Sequence, residues 1–254
     1  MSLLLFILFF ILLLFFYTII YYLLHFFFYT LFLMRTSFPI QIIAGLGNPG
    51  KEYEYTRHNA GFILLNELAK MYAGRWQIDK NYHAELCKIS LTNTSIWLIK
   101  PQMFMNRSGH SIVPFMRFHR LVPESLFVIH DELDLLPGEV RIKQGGGNGG
   151  HNGLKDIQAQ LGSANFWRMR LGIGHPRSLQ LQQAVADFVL TRPTKPHYDA
   201  MLIAQNQCIK HLPVLVHGKH SAQENKDNNK DNNKDFDSSI KELHTLKSTL
   251  NLNL

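Results

Sequence analysis

The chain has 254 residues and a formal net charge of +7, which favours an acidic partner such as nucleic acid or an anionic membrane surface. Its only two cysteines, Cys87 and Cys208, lie far apart and form no C-x-x-C pair, which excludes a disulfide scaffold and a zinc ribbon. Thiols used in this way are typical of a reducing compartment, so we expect a cytoplasmic protein.

The first segment, residues 1–34, is a hydrophobic leader. From position 3 to position 34 it contains no Asp, Glu, Lys or Arg, and it is long enough to span a bilayer. It lacks the basic region and the small-residue cleavage site of a secretory signal. Two interpretations stay open: a membrane anchor, or a spurious extension of a domain whose translation starts at Met34.

Between residues 41 and 212, apolar runs of strand length alternate with helical patterns. The predicted strands are IQIIAGL, AELCKIS, SIWLIK, SLFVIH, EVRIK and FWRMRLGIG, of which the second and third form a hairpin. The predicted helices are NAGFILLNELAKMYAG with Asn59 as N-cap, SGHSIVPFMRFHR, NGLKDIQAQLG, AVADFVL and YDAMLIAQNQCIKHL. This alternation predicts an α/β fold: a single domain with a mixed, mostly parallel β-sheet flanked by helices.

The last segment, residues 218–254, contains NKDN twice in tandem followed by NKDF. It is polar and nearly charge-balanced and has almost nothing to bury, so we expect a disordered tail.

The turn after the first strand, GLGNPGK, fits two nucleotide-binding patterns. It contains G-x-G-x-x-G, and Gly45, Gly50 and Lys51 match all but the last place of a P-loop. Glu52 stands where the magnesium-binding hydroxyl belongs, and Pro49 removes a backbone donor from the phosphate cradle. No acidic strand end follows at the distance that a dinucleotide site requires. We therefore expect no nucleotide cofactor, and a glycine-rich turn that closes a buried strand.

Four polar clusters follow predicted strands: GLGNPGKEYEYTRHN, KPQMFMNRSG, HDELD and KQGGGNGGHNG. Sites in such sheets gather at the carboxyl ends of strands, so we expect the four clusters to meet. Their chemically useful side chains are Asn48, His58, Asn106, Asp131 and Asn152.

His58 directly precedes the expected N-cap, where the positive end of a helix dipole disfavours imidazolium and leaves a neutral base. Asp131 could orient this imidazole, although it could also cap a turn with Asp134, and Glu132 competes for the role. The clusters contain no cysteine and the chain has no G-x-S-x-G elbow, so a His/Asp pair would activate water. The asparagine amides suit an amide-rich substrate or a developing oxyanion, and no metal-ligand spacing is present.

The glycine run Gly145–Gly153 is typical of a mobile loop at the mouth of a site. Basic residues close to it in sequence fit either phosphate contacts or ordinary solvated charges. They are Arg141, Lys143, Lys155, Arg168 and Arg170.

Assembled in this order, the clusters resemble the bacterial-type peptidyl-tRNA hydrolase family. GLGNPGKEY, TRHNAG, KPQMFMNRSG, HDELDLLPG, KQGGGNGGHNGLKDI and RMRLGIGHP stand in the family's order with matching separations. The resemblance covers residues 42–190, continues more weakly to 212, and includes neither the leader nor the tail. It implies hydrolysis of the ester between the peptide and the 3′-terminal ribose of peptidyl-tRNA, without a metal or nucleotide cofactor, by a monomer.

The resemblance also implies roles for individual residues. His58 matches the catalytic histidine and Asp131 the residue that keeps it basic, while Asn48 and Asn106 match site amides. Substrate-contacting or phosphate-gripping positions are matched by Tyr53, Phe104, Met105, Asn152, Lys143 and Arg170.

Two alternatives remain at this point. A non-catalytic RNA-binding relative would share the fold and much of the sequence. A membrane-tethered hydrolase would use the segment 3–34 as its anchor.

Overall fold

The computed structural model of the chain describes residues 17–22, 40–91, 94–217 and 229–245. Residues 17–22 are helical and belong to a compact unit, Met1–Phe38, which is distinct from the unit Pro39–Leu254. The remainder of the predicted leader lies outside the described residues. The two interpretations of the leader, a membrane anchor or a spurious extension, therefore both stay open. In the parts of the chain that are described, no helix is both long and apolar enough to cross a membrane.

The larger unit is built on a mixed sheet with the strand order β2-β3-β4-β1-β5-β7-β6. Its described strands are β1 (Ile42–Gly45), β2 (Gln77–Asp79), β3 (Ala84–Leu91), β4 (Thr94–Pro101), β5 (Leu126–Glu132), β6 (Val140–Gln144) and β7 (Trp167–Gly172). All six predicted strands are present, and the predicted hairpin is the β3–β4 pair. Only β2 was missed, because a three-residue polar strand shows no apolar period.

The expectation of a mostly parallel sheet is wrong. β1 pairs in parallel with β4 and β5, and β5 with β7, whereas β2–β3, β3–β4 and β6–β7 are antiparallel. The strand β2 extends the hairpin into a meander, and β6 returns against β7. Half of the six described pairings are therefore antiparallel.

Helices cover both faces of the sheet. They are α1 (Ala60–Met71), α2 (Ser108–Phe118), α3 (Asn152–Leu161), α4 (Val185–Val189), α5 (Lys195–His217) and α6 (Asn229–Thr245). Helices α1 and α5 share one buried apolar cluster with β1, β5 and β7, and α2 and α3 share a second cluster on the opposite face. In α1, Leu64, Leu65 and Leu68 recur at helical spacing and are fully buried, which is why this helix was predictable.

The prediction of a disordered tail over 218–254 is wrong for residues 229–245, which form α6. Leu243 is fully buried, and the His244 ring Nε2 accepts a hydrogen bond from the Ile142 backbone N–H at 2.9 Å. The Arg141 guanidinium donates to the His244 carbonyl at 2.7 Å. The tail helix thus covers the outer edge of β6, which would otherwise be open to pairing. Residues 218–228 and 246–254 lie outside the described residues.

Candidate active site

The centre of the site is Asp131, which lies in the carboxyl-terminal end of β5 and is only 3% exposed. The His58 ring Nδ1 lies 2.9 Å from Asp131 Oδ1 and 3.0 Å from Oδ2. The His151 ring Nε2 lies 3.0 Å from Oδ1. His58 comes from the turn before α1, and His151 is the N-cap of α3. One buried carboxylate is therefore held by histidines from helices on opposite faces of the sheet.

The protonation states follow from these contacts. Burial alone would raise the pKa of Asp131, but the charges and hydrogen bonds of His58 and His151 hold it well below its usual range. An ionised carboxylate only accepts hydrogen bonds, so His58 Nδ1–H donates to it. The other ring nitrogen of His58, Nε2, makes no hydrogen bond within the described residues and is left as a proton acceptor.

The basicity of His58 differs from the sequence argument. Burial would lower its pKa, but the Asp131 charge and hydrogen bond together outweigh burial and raise the pKa above its ordinary value. The sequence argument from the helix dipole expected the opposite net direction, but a carboxylate at 2.9 Å acts more strongly than a partial charge at a helix terminus.

His151 was not singled out by the sequence analysis. Its Nδ1 accepts from the backbone N–H groups of Gly153 and Leu154, at 3.2 and 3.4 Å, and so caps α3. Nε2 must then carry the proton that is donated to Asp131. The signal that could have found it is a hydrogen-bonding residue between a glycine run and a helix, although histidine is an unusual N-cap.

Each of His58, Asp131 and His151 offers one ligand atom, a ring nitrogen or a carboxylate oxygen, and these three atoms lie within 4.8 Å of one another. This spacing could hold a metal ion. The cap made by His151 Nδ1 argues against that use. Nε2 could bind a cation only if His151 lost its last ring proton while Nδ1 still accepted from the backbone. The three side chains fit a hydrogen-bonded relay better than a metal site.

Asn48 is fixed at the site by two further contacts. Its side-chain Oδ1 accepts from the Met105 backbone N–H at 2.7 Å, so its amide Nδ2 is the group left to donate to a substrate. The Asn59 side chain holds the backbone N–H and C=O of Asn48, at 2.8 and 2.9 Å. Asn59 does occupy the predicted N-cap position, but its side chain does not cap α1. It positions Asn48 instead.

The remaining predicted site residues differ in their exposure and contacts. Asn106 and Asn152 are exposed, on the short 3-10 helix Met105–Arg107 and at the start of α3. The Tyr53 ring packs edge-on against the Phe104 ring, which is 59% exposed. The prediction that Met105 lines the groove is wrong, because its side chain is buried in the cluster beneath α2 and α3.

A group of cations lies beside this centre. Lys143 on β6 lies directly opposite Arg168 on β7 in the strand register, and Arg170 follows Arg168 by two residues. All three side chains therefore lie on the same face of the sheet. Arg170 Nε donates to Glu132 at 2.8 Å, one residue from Asp131. Burial first, and then the nearby Arg170 and Arg168 charges, lower the pKa of Lys143.

Two expectations about this region are wrong. Arg168 does not belong to a basic rim, since it is 1% exposed. The glycine run does not start at the edge where β5 ends, because β6 is antiparallel and Gln144 pairs with Trp167 at the start of β7. The chain after β6 returns to that edge, where His151 meets Asp131.

A His–Asp pair with an unblocked ring nitrogen, at the carboxyl end of a central strand, is an arrangement found in hydrolases. Residues 42–235 match the family model described as peptidyl-tRNA hydrolase. The chain is 52% identical over 182 residues to a peptidyl-tRNA hydrolase of Bordetella parapertussis, covering 72% of this chain and 85% of the relative. It is 46% identical over 180 residues to one of Neisseria gonorrhoeae, covering 71% and 92%.

A crystal structure of the peptidyl-tRNA hydrolase from Acinetobacter baumannii aligns with a TM-score of 0.71 at 35% identity, covering 82% of this chain and 95% of that one. The chain belongs to the peptidyl-tRNA hydrolase family. The family resemblance of the sequence is thereby confirmed.

Proposed function

We propose that the chain hydrolyses the ester bond between the peptide, or N-blocked aminoacyl group, and the 3′-terminal ribose of peptidyl-tRNA, which releases tRNA for reuse in translation. The observation that carries the proposal is the His58–Asp131 pair, whose hydrogen bonds occupy His58 Nδ1 and leave Nε2 as an unblocked base. The family membership supports the choice of substrate.

The reaction uses His58 first as a base and then as an acid. Nε2 takes a proton from water, and the resulting hydroxide attacks the ester carbonyl carbon. Asp131 stabilises the imidazolium that forms. When the tetrahedral intermediate collapses, the ester C–O bond breaks and His58 returns its proton to the 3′-oxygen of the ribose.

The asparagines serve the oxygen atoms of the reaction. Asn48 Nδ2 donates to the oxyanion, because its Oδ1 is already engaged by the Met105 backbone. Asn106 orients the attacking water and contacts the scissile region. Neutral donors suit this task because they add no competing charge beside the His58 imidazolium.

Residues farther from the reacting bond recognise the substrate. Tyr53, Phe104 and Asn152 contact the peptide and the 3′ end, and Lys143 and Arg170 contact a phosphate of the tRNA.

The chain acts as a cytoplasmic monomer without a metal or nucleotide cofactor, and any membrane association would involve only residues 3–34.

The decisive experiment is His58→Ala. Loss of a general base typically lowers the rate by about 10²–10⁴-fold. We expect turnover of peptidyl-tRNA to fall by that factor while tRNA affinity is retained. The matched control is His211→Ala, which removes a histidine that pairs with Glu242 at 3.3 Å, outside the site.

Turnover of His58→Ala above about a tenth of the wild-type value would show that His58 is not the base. A wild-type protein that binds peptidyl-tRNA without cleaving it would establish the non-catalytic RNA-binding alternative.

A further inference from the structure

The glycine-rich loop, residues 145–150, has few side chains of its own to hold it in place. Four of its glycines have positive φ values, a conformation that other residues rarely adopt. At Gly147, Gly149 and Gly150, no atom lies within 4 Å of the place where a Cβ would stand. The conformation of this loop must therefore be set by contacts to its backbone.

The Gly145 N–H donates to the Phe166 carbonyl at 2.9 Å and the Gly150 N–H to the Asn148 side chain at 3.1 Å, and two side chains from outside the loop hold its carbonyls. Arg168, from β7, donates from Nη1 to the Gly147 carbonyl at 2.5 Å and from Nη2 to the Gly146 carbonyl at 2.6 Å. Gln158, from α3, donates from Nε2 to the same Gly146 carbonyl at 2.9 Å. Gln158 Oε1 also accepts from the Asn148 side chain at 3.2 Å.

The loop so held leads directly into the active site. The His151 backbone N–H donates to the Asn148 carbonyl at 2.9 Å, and the His151 ring then donates to Asp131. Asn152 follows as the first residue of α3. A displacement of the loop would therefore move both His151 and Asn152.

We propose that Arg168 is a positioning residue, whose forked hold on the glycine-rich loop places His151 against Asp131 and Asn152 beside the substrate. This inference rests on the proposed hydrolase function. It separates Arg168 from Lys143 and Arg170, which are assigned to tRNA phosphate.

The surroundings of Arg168 favour this role over phosphate binding. Its side chain is 1% exposed, both Nη atoms are engaged by carbonyls, and the guanidinium lies 4.6 Å from the centre of the Phe166 ring. Its Nε atom is buried and has no partner among the described residues. A buried guanidinium whose two Nη atoms already donate to carbonyls has no exposed N–H pair left to bind a phosphate.

The test compares Arg168→Lys with Gln158→Ala. Lysine keeps the positive charge but cannot hold two carbonyls with one rigid fork. Gln158 is half-buried and hydrogen-bonds only to residues of the loop, so its loss removes the second contact that holds the loop without opening the core. Each variant is assayed on peptidyl-tRNA and on a short N-acyl-aminoacyl ester of adenosine, across a salt series.

Small displacements of a site residue commonly cost about ten- to a hundredfold in rate. We expect Arg168→Lys to lower kcat by about that factor on both substrates and to leave the salt dependence of KM unchanged. Gln158→Ala should also lower kcat on both substrates without changing the salt dependence of KM, but by a smaller factor. In a His151→Ala background, Arg168→Lys should add much less than it does alone, because part of its effect passes through His151.

A loss confined to peptidyl-tRNA, in KM and with a flatter salt dependence, would make Arg168 a phosphate contact and overturn the proposal. Full additivity with His151→Ala would overturn it as well.

The proton signal of His151 Nε2–H, measured by NMR, is a readout that does not need catalysis. It should broaden or vanish in both variants, and an unchanged signal in both would contradict the proposal. Failure of the proposed function itself would appear as a wild-type protein that cleaves neither substrate.

Discussion

Asp131 determines both the tautomer and the basicity of His58. Its hydrogen bond keeps the His58 proton on Nδ1, and its charge raises the pKa of His58 although burial opposes this. A neighbouring carboxylate, Glu132, was an alternative in the sequence, but it pairs with Arg170 at 2.8 Å. The two carboxylates can be separated experimentally.

The first residue-level prediction is that Asp131→Asn lowers turnover by less than His58→Ala does. Without the carboxylate, the pKa of His58 falls, because its protonated form loses a stabilising charge. Catalysis needs the unprotonated base, so the acidic limb of kcat/KM should move to lower pH. Glu132→Gln is the control and should leave this limb in place. If Asp131→Asn changes neither turnover nor the limb, Asp131 has only a structural role at the end of β5.

Sequence reasoning found Asn48 but not the contacts that define its role. Its importance came from its place after a strand and from the family resemblance. That Oδ1 is occupied and Nδ2 free depends on the Met105 backbone, which is 57 residues away. Asn59 was predicted for its position at the start of α1, whereas its side chain binds a residue 11 positions earlier.

Among the secondary-structure elements, the tail helix α6 differs most from expectation. Its first part has the composition of a disordered segment, and the apolar residues Phe236, Ile240 and Leu243 lie only from the middle of the helix onward. These three residues do have helical spacing, but the prediction followed the polar, repetitive composition of the preceding residues instead. The helix packs against β6 and α5, so its position depends on surfaces that are formed elsewhere in the chain.

We predict that Leu243→Ala destabilises the protein by about 2 kcal/mol, as expected for removing a buried leucine at a site that can partly relax. Lys241→Ala, an exposed change on the same helix, is the control. Urea denaturation of both variants gives the free energy of unfolding. Equal stability of the two variants would show that α6 does not pack against the domain.

For the whole molecule, the net charge of +7 and the exposed part of the cation group bear on substrate binding. Lys143 and Arg170 are partly exposed, whereas Arg168 is buried. Phosphate contacts contribute to affinity through the release of counterions, so their loss should change how binding depends on salt.

We expect the double change Lys143→Ala and Arg170→Ala to raise KM for peptidyl-tRNA and to flatten its salt dependence, while turnover at saturation survives. The slope of log affinity against log salt should fall by roughly 1 to 2 if one or two phosphate contacts are lost. A short N-acyl-aminoacyl ester of adenosine, which lacks the tRNA phosphates, should be unaffected. Lys70→Ala with Lys80→Ala removes the same charge elsewhere on the surface and serves as the control. Equal losses on the two substrates would contradict the phosphate assignment.

The sequence by itself determined the elements of the main domain and the candidates for its chemistry. Strand and helix periods reflect burial on one face of each element, and burial patterns are local and readable. The family strings identified His58, Asp131, Asn48 and Asn106 because they lie in short segments that a reader can compare directly.

Only the tertiary structure decided how these pieces meet. The direction of β6, the return of the glycine-rich loop, the burial of Arg168 and the hydrogen bond from the His151 ring to Asp131 all depend on contacts between residues far apart in the chain. A sequence pattern records which side chains can hydrogen-bond or carry charge, but not which partner each will have. In a low-dielectric interior the partner decides whether a group is a base, a donor or a structural clasp, and partners are assigned by packing.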